Sequence, residues 1–234
     1  MSKSKRPPPR PSPNPRRRTQ ADRRAISEQK IIDAAIRLIG RKGTDRLTLS
    51  EVGAEAGYSR GLPAHLFGNK EGLLLCVVER FMSYHMKGHI HFALPDDWEP
   101  GQGLKRLRTI IHTWTATGVR LPEYYRTYLI LSGEAVREES SGMSVALRTR
   151  IRSLNTRTRE ELERYLKQGK QHGDLAADVD PDHEAMLLMS TLWGLLANWM
   201  LDPKAFDLRK VTDRCVEDQL ARLERKNRPA RKTA

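Results

Sequence analysis

The sequence predicts an all-α fold in two parts, a compact three-helix unit followed by a larger helical bundle. Three observations carry that expectation. After residue 25 the apolar residues recur at three- and four-residue steps, and no run alternates as a half-buried strand would. The breaks between runs fall at Gly, Pro and Asp, several beside a good helix cap. At 234 residues the chain is long enough for two domains that each bury a core.

The first helix is expected over roughly 26–41, where Ile32, Ala35, Ile36 and Ile39 share a face and Gly43 ends the run. Thr48-Leu49-Ser50-Glu51 reads as a capping box, in which threonine and glutamate side chains each satisfy the other's amide. The short helix behind it buries Val52 and Ala56 and stops at Gly57, which can adopt a left-handed conformation. Ser59 is expected to cap the next helix, with Arg60, Gly61 and Leu62 in its first turn. Pro63 still lies in that turn, where a missing N–H costs little. Asn69 caps a further helix that opens with Lys70-Glu71. Two short helices around a Gly-containing turn fit a helix-turn-helix, whose second helix enters the DNA major groove.

Three segments, IIDAAIRLIGRKG (31–43), LTLSEVGAEAGYSRG (47–61) and LFGNKEGLL (66–74), stand in the order and register of one family. In them the chain resembles the tetracycline-repressor (TetR/AcrR) family of bacterial transcription regulators. The resemblance implies a three-helix DNA-binding domain and a second domain that dimerises and binds an inducer. It also implies that the last two long helices pair with those of a second subunit as a four-helix bundle. Two positions depart from the family pattern: Ala64 replaces the usual aromatic of the recognition helix, and Leu66 replaces a histidine, with His65 one place earlier. Both changes bear on the family's phosphate contacts.

Within this motif (48–67) Arg60 is the best base reader, because a guanidinium pairs bidentately with guanine. Gly61 permits close approach, while Tyr58, Leu62, Ala64 and His65 can meet base edges or the backbone. Thr48, Ser59 and Lys70 stand at helix starts and are phosphate-contact candidates.

The net charge of +13 sits in the tails. Residues 1–24 hold nine Lys/Arg and one acid, residues 225–234 hold five and none, and the rest is balanced. The first tail is rich in Pro, Arg and Ser and too poor in apolar residues to order itself, so a disordered basic arm is expected over 1–24. Beside a DNA-binding domain at 25–70, such an arm suits phosphate attachment, although a solubilising tail has the same composition. A basic tail at 226–234 is not assigned to DNA. Cys76 and Cys215 are too few for a disulfide framework and read as buried thiols of a reduced cytoplasm. No stretch approaches a membrane span, and the N-terminus has no apolar signal core.

The second domain, 71–225, is expected to bind an effector and dimerise. Its helices read as roughly 70–92, 103–118, 122–138, 142–172, 181–201 and 205–225. Asp180-Pro181 caps and opens the helix 181–201. That helix is apolar nearly all round, so one face needs a cover from outside its own domain, and Gly194 and Ala197 would let a second helix close in. Trp114, Tyr124, Tyr125 and Tyr128, with Met82 and His85 on the preceding helix, are candidates to line an effector cavity; the alternative is that they fill core.

Chemistry is not indicated. His85, His89 and His91 lack a carboxylate or cysteine beside them, the acids of 178–184 serve as caps, and no phosphate loop or nucleophile elbow is present. No cofactor, catalytic residue or metal is expected. The sequence therefore predicts a homodimeric, cytoplasmic transcriptional regulator, a repressor released from a palindromic double-stranded operator by a small apolar or amphipathic effector. The rivals are an effector-independent architectural DNA-binding protein and an α-helical enzyme.

Overall fold

The computed structural model describes residues 19–84, 102–137 and 143–225, and every regular element among them is an α-helix. The small unit comprises α1 (Gln20–Lys42), α2 (Leu49–Glu55) and α3 (Leu62–Phe67), and α4 (Lys70–Tyr84) leaves it. The second unit comprises α5 (Gln102–Arg120), α6 (Pro122–Val136), α7 (Val145–Gln171), α8 (Pro181–Leu201) and α9 (Leu208–Arg225). Residues 1–18 and 226–234, His85, His89 and His91 lie outside the described residues, as does the side chain of Met82.

Four helix starts differ from the sequence expectation: those of α1, α7 and α9 because a cap sits elsewhere, and that of α3 because of Pro63. α1 begins at Gln20 rather than near residue 26, so residues 20–24 belong to a helix and not to an arm. Thr19 and Asp22 form the capping box responsible: the Asp22 amide donates to Thr19 Oγ1 at 3.1 Å and the Thr19 amide to Asp22 Oδ2 at 2.9 Å. α7 begins at Val145 rather than 142, behind Ser144, whose Oγ accepts from the Leu147 amide at 3.1 Å. α9 begins at Leu208 rather than 205, behind Asp207, whose Oδ1 accepts from the Lys210 amide at 3.1 Å. α8 has the expected bounds, with Asp180 Oδ1 accepting from the Asp182 and His183 amides at 3.1 and 3.4 Å. Asn69 likewise caps α4, its Oδ1 taking the Gly72 amide at 2.8 Å.

The core is continuous from the small unit into the large one. Ile31, Ala35 and Ile39 of α1 lie under Val52, Leu73 and Val77, all fully buried. Phe81, Trp114, Tyr124, Tyr125, Tyr128 and Trp193 form one packed cluster. Phe81 meets Tyr124 edge-on at 4.3 Å between ring centroids, Trp114 meets Tyr125 at 5.4 Å and Trp193 at 5.3 Å, and Tyr128 stacks on Trp193 at 4.4 Å.

A tight seam joins the units where α1 crosses α6. A Cβ added at Gly40 would stand 3.2 Å from the Glu123 carbonyl oxygen and 3.3 Å from Thr127 Oγ1, so a side chain there would require the helices to give by a few tenths of an ångström. The buried Thr127 hydroxyl donates to the Ile36 carbonyl at 2.7 Å, and Thr44 Oγ1 donates to Glu134 Oε2 at 2.6 Å. These bonds leave little freedom for α1 to slide.

α8 and α9 are tied through Glu184, which is buried and accepts from Arg222 Nη2 at 2.7 and 2.9 Å and from Gln219 Nε2 at 2.8 Å. The outer face of α8 exposes Met186, Leu187 and Leu201, and a Cβ at Gly194 would meet nothing within 4 Å. Leu195 is half-buried against the core. Cys76 and Cys215 are free and half-buried rather than fully buried, and burial raises the Cys76 thiol's pKa, aided by Glu28 and Glu79. No helix among the described residues is long and apolar enough to cross a membrane.

Thr127→Val keeps the shape of the seam and removes its buried hydroxyl. The expected loss is about 1 kcal/mol in urea unfolding, the usual net worth of one hydrogen bond. An unchanged midpoint would show that the bond adds nothing to the seam.

Candidate nucleic-acid interface and effector cleft

The turn between α2 and α3 is built by backbone bonds. The Tyr58 amide donates to the Gly53 carbonyl at 2.9 Å and the Gly57 amide to the Ala54 carbonyl at 3.1 Å, while Gly57 takes φ 76°. This is a Schellman closure, and its left-handed residue is the glycine the sequence singled out. Gly53 makes the crossing possible: a Cβ there would lie 2.6 Å from the Ser59 carbonyl oxygen and 3.1 Å from Pro63 Cδ. A glycine inside a seven-residue helix is unfavourable on its own, and that cost was the one sequence signal for this close approach.

The expected cap at Ser59 is a correction. α3 starts at Leu62 behind Gly61, which supplies no side-chain cap. A helix opening behind Ser59 would need the residue 63 amide to donate to the Ser59 carbonyl, and proline has none. The Leu62 amide takes that carbonyl instead, at 3.1 Å, and the His65 amide then bonds to Gly61 at 3.1 Å. Arg60 and Gly61 thus lie in a tight turn ahead of the helix.

Ser59, Arg60, Gly61, Ala64 and His65 form one exposed surface, while Pro63 is buried and Leu62, Leu66 and Phe67 lean on the core. Leu62 is half-buried, so less of it is open than the sequence reading supposed. Arg60 makes no hydrogen bond or ion pair among the described residues, which leaves its guanidinium open to a partner. Tyr58 is half-buried, with the Lys30 ammonium 5.9 Å from its ring centroid.

The expected capping box is present, and it occupies Thr48. The Thr48 hydroxyl donates to Glu51 Oε2 at 2.7 Å and accepts from the Glu51 amide at 3.3 Å. The Lys42 ammonium also meets Glu51 Oε2 at 2.7 Å, and with Thr48 it holds the carboxyl below its ordinary 4.5. Arg41 and Arg37 do the same to Glu55, at 2.9 and 3.3 Å. Both carboxyls are depressed, so these ties are complete above 4.5 and disappear as the pH falls through the lowered values. Lys70 is half-buried and donates to the Asp45 carbonyl at 3.3 Å, fastening the start of α4 to the loop before α2.

In the larger unit a cleft of about 440 Å³ opens between α6, α7 and α8. Tyr128, Leu129, Ile151, Met189 and Trp193 give it apolar lining, and Ser132, Arg152, Asn155 and Ser190 add polar groups. Of the aromatic residues singled out in the sequence, only Tyr128 reaches this cleft. Trp114, Tyr124 and Tyr125 are at most 8% exposed and pack in the core, with the Tyr124 hydroxyl donating to the Arg80 carbonyl at 3.2 Å. Met82 and His85 lie outside the described side chains. The sequence reading did not single out Ser132, Arg152, Asn155 and Ser190; an arginine-rich, acid-free stretch over 145–159 was a signal for Arg152 and Asn155 alone.

Residues 31–77, from α1 through the turn into α4, match the bacterial regulatory proteins of the tetR family. Residues 104–223, from α5 to α9, match the C-terminal domain of BetI-type transcriptional repressors. The chain belongs to the TetR family. Among its relatives, the HTH-type transcriptional regulator AcrR of Shigella flexneri is 27% identical over 185 residues, covering 79% of this chain and 83% of that protein. The HTH-type transcriptional regulator BetI of Agrobacterium fabrum is 31% identical over 129 residues, covering 55% of this chain and 61% of that protein. Among solved structures, SmeT, the repressor of the Stenotrophomonas maltophilia multidrug efflux pump SmeDEF, shares the fold with a TM-score of 0.67 at 24% identity, covering 83% of this chain and 89% of that one. This TetR-family chain is a DNA-binding transcriptional regulator, and its helix-turn-helix runs from Thr48 to Phe67.

Gly53→Ala places a methyl group against backbone, which cannot step aside cheaply. The expected cost is about 1–3 kcal/mol of stability, with a displaced turn and weaker DNA binding. Thermal unfolding and a gel-shift assay check both; a variant with native stability would mean that the crossing can relax.

Proposed function

We propose that this regulator is a dimeric repressor that occupies a palindromic operator and leaves it when a small apolar or amphipathic effector enters the second domain. The observation that carries the DNA half is the exposed surface of Ser59, Arg60, Gly61, Ala64 and His65 around an unpaired guanidinium, on a match to the tetR family. Arg60 reads a guanine edge, Gly61 lets the backbone approach, and Ala64 and His65 flank them. Thr48 and Lys70 act chiefly by fixing the head, through the cap and through Asp45.

The cleft between α6, α7 and α8 supports an effector and counts against a purely architectural protein, since its volume is that of a small-molecule site. It also suggests a route to the head. Tyr128 lines the cleft and Thr127, its neighbour, bonds to α1. A ligand that shifts α6 therefore moves α1 directly. The coupling equals the ligand's differential affinity for the two states, about 1–3 kcal/mol in typical cases.

The exposed apolar face of α8 supports pairing with a second copy, with Gly194 open to an approaching helix. Two heads on one axis suit half-sites about one helical turn apart.

Selection of bound sequences from a random DNA pool tests the operator. Arg60→Ala should then weaken the selected site by about 1–3 kcal/mol and leave non-specific binding nearly unchanged. An equal loss on every sequence would remove Arg60 from base reading. For the dimer, Leu187→Asp is a better probe than a change at Leu195, because Leu187 is 39% exposed and Leu195 leans on the core. Sedimentation should give folded monomers with weak operator binding, whereas an intact dimer would place the interface elsewhere.

A further inference from the structure

The cleft between α6, α7 and α8 has a charge character that its volume alone does not reveal. Residues 145–159 of α7 carry five arginines and no acid. Most of these cations are engaged: Arg148 donates to the Arg137 carbonyl at 3.4 Å, Arg150 pairs with Glu79, Arg159 pairs with Asp182, and Arg157 has an interaction of its own. Arg152 lines the cleft and has no ion pair or hydrogen bond among the described residues. Beside it stand Asn155 and Ser190, which can donate to an oxygen anion. The rest of the lining includes apolar Ile151 and Met189, 4% and 7% exposed, and Trp193 stacked on Tyr128; Ile151 precedes Arg152 on α7 and Met189 precedes Ser190 on α8, so apolar surface stands beside the polar groups.

We propose that this cleft takes a small amphipathic carboxylate, with its acid on the Arg152 guanidinium and its apolar body against Ile151, Met189 and Trp193. The inference rests on the effector reading above and narrows it to one class of ligand. A planar fork of donors matches a carboxylate bidentately, which a neutral or cationic head group cannot exploit. A purely apolar ligand would leave the guanidinium unpaired at the edge of its site and would gain only from the apolar lining. The tyrosine hydroxyl adds a further polar point: Tyr128 donates to Asn155 Oδ1 at 3.4 Å and so orients that amide at the cleft rim.

Isothermal titration of the full chain with 4-phenylbutyrate, 4-phenylbutanol and 4-phenylbutylamine tests this directly, since the three differ only in head group. The carboxylate should bind about tenfold or more tighter than the alcohol, the amine weakest, and the preference should shrink as salt rises. Arg152→Gln should bring the carboxylate down to the level of the alcohol, while Arg152→Lys keeps part of the preference. Arg152 is exposed, so both variants should melt like the parent. A carboxylate no tighter than the alcohol, an Arg152→Gln loss equal for both, or no binding by any of the three overturns the proposal. Operator release is measured separately. Arg152-dependent carboxylate binding that leaves operator affinity unchanged supports the site and removes the effector reading. Release of the operator by the alcohol as readily as by the acid keeps the effector reading and removes the charge preference.

Discussion

The placement of the DNA-reading surface depends on the α1–α6 seam. α1 spans Gln20–Lys42 and is the scaffold of the small unit. Its C-terminal end holds α2 through Arg37, Arg41 and Lys42, and its middle is bonded to α6 through Ile36. Gly40 sets the distance between these helices, because any side chain there would push against the Glu123 carbonyl. A close backbone contact of this kind has few intermediate positions, since packed helices shift between discrete arrangements more readily than they deform. In the proposed mechanism this seam is what passes a displacement of α6 to α1.

Much of the fold was legible because its boundaries are chemical. The Thr48–Glu51 box, Gly57, Asn69 and Asp180-Pro181 each end or begin a helix where the sequence placed that event. The late discoveries, Thr19, Ser144 and Asp207, use the same chemistry less conspicuously. Thr19 closes its box with aspartate, a shorter side chain than the glutamate or glutamine usually found there, and it stands directly after a run of arginines that reads as an unstructured tail. At Ser59 the local rule failed for a definite reason. A good capping residue was present, but the proline four places on removes the amide that the first helical bond requires.

The effector side was less legible. Aromatic residues at helical spacing signal burial equally well whether they face a cavity or one another, and here Trp114, Tyr124 and Tyr125 face one another. What lines the cleft comes from three successive helices, and its polar members besides Tyr128 are an arginine, an asparagine and two serines. Single residues of those types on an exposed helix face look like ordinary solvated positions. Only their convergence distinguishes them, and convergence is a property of packing between α6, α7 and α8 rather than of any one segment.

The electrostatics of the head divide its basic residues into two groups with different work. Arg37, Arg41 and Lys42 are neutralised by Glu55 and Glu51 across distances of 2.7–3.3 Å. Such exposed pairs add little to stability, and their cations are already committed. Their effect is geometric: they fix α2, and through Gly53 they fix the turn that carries Arg60. Arg60 is held by no acid among the described residues, so its charge remains available at the exposed surface of α3. In the proposed reading the paired cations hold α2 in place while Arg60 stays open to a base. The folded body between the tails is electrically balanced, and the net charge of +13 lies in the tails. The sequence choice proposed for Arg60 is therefore independent of the net charge of the chain.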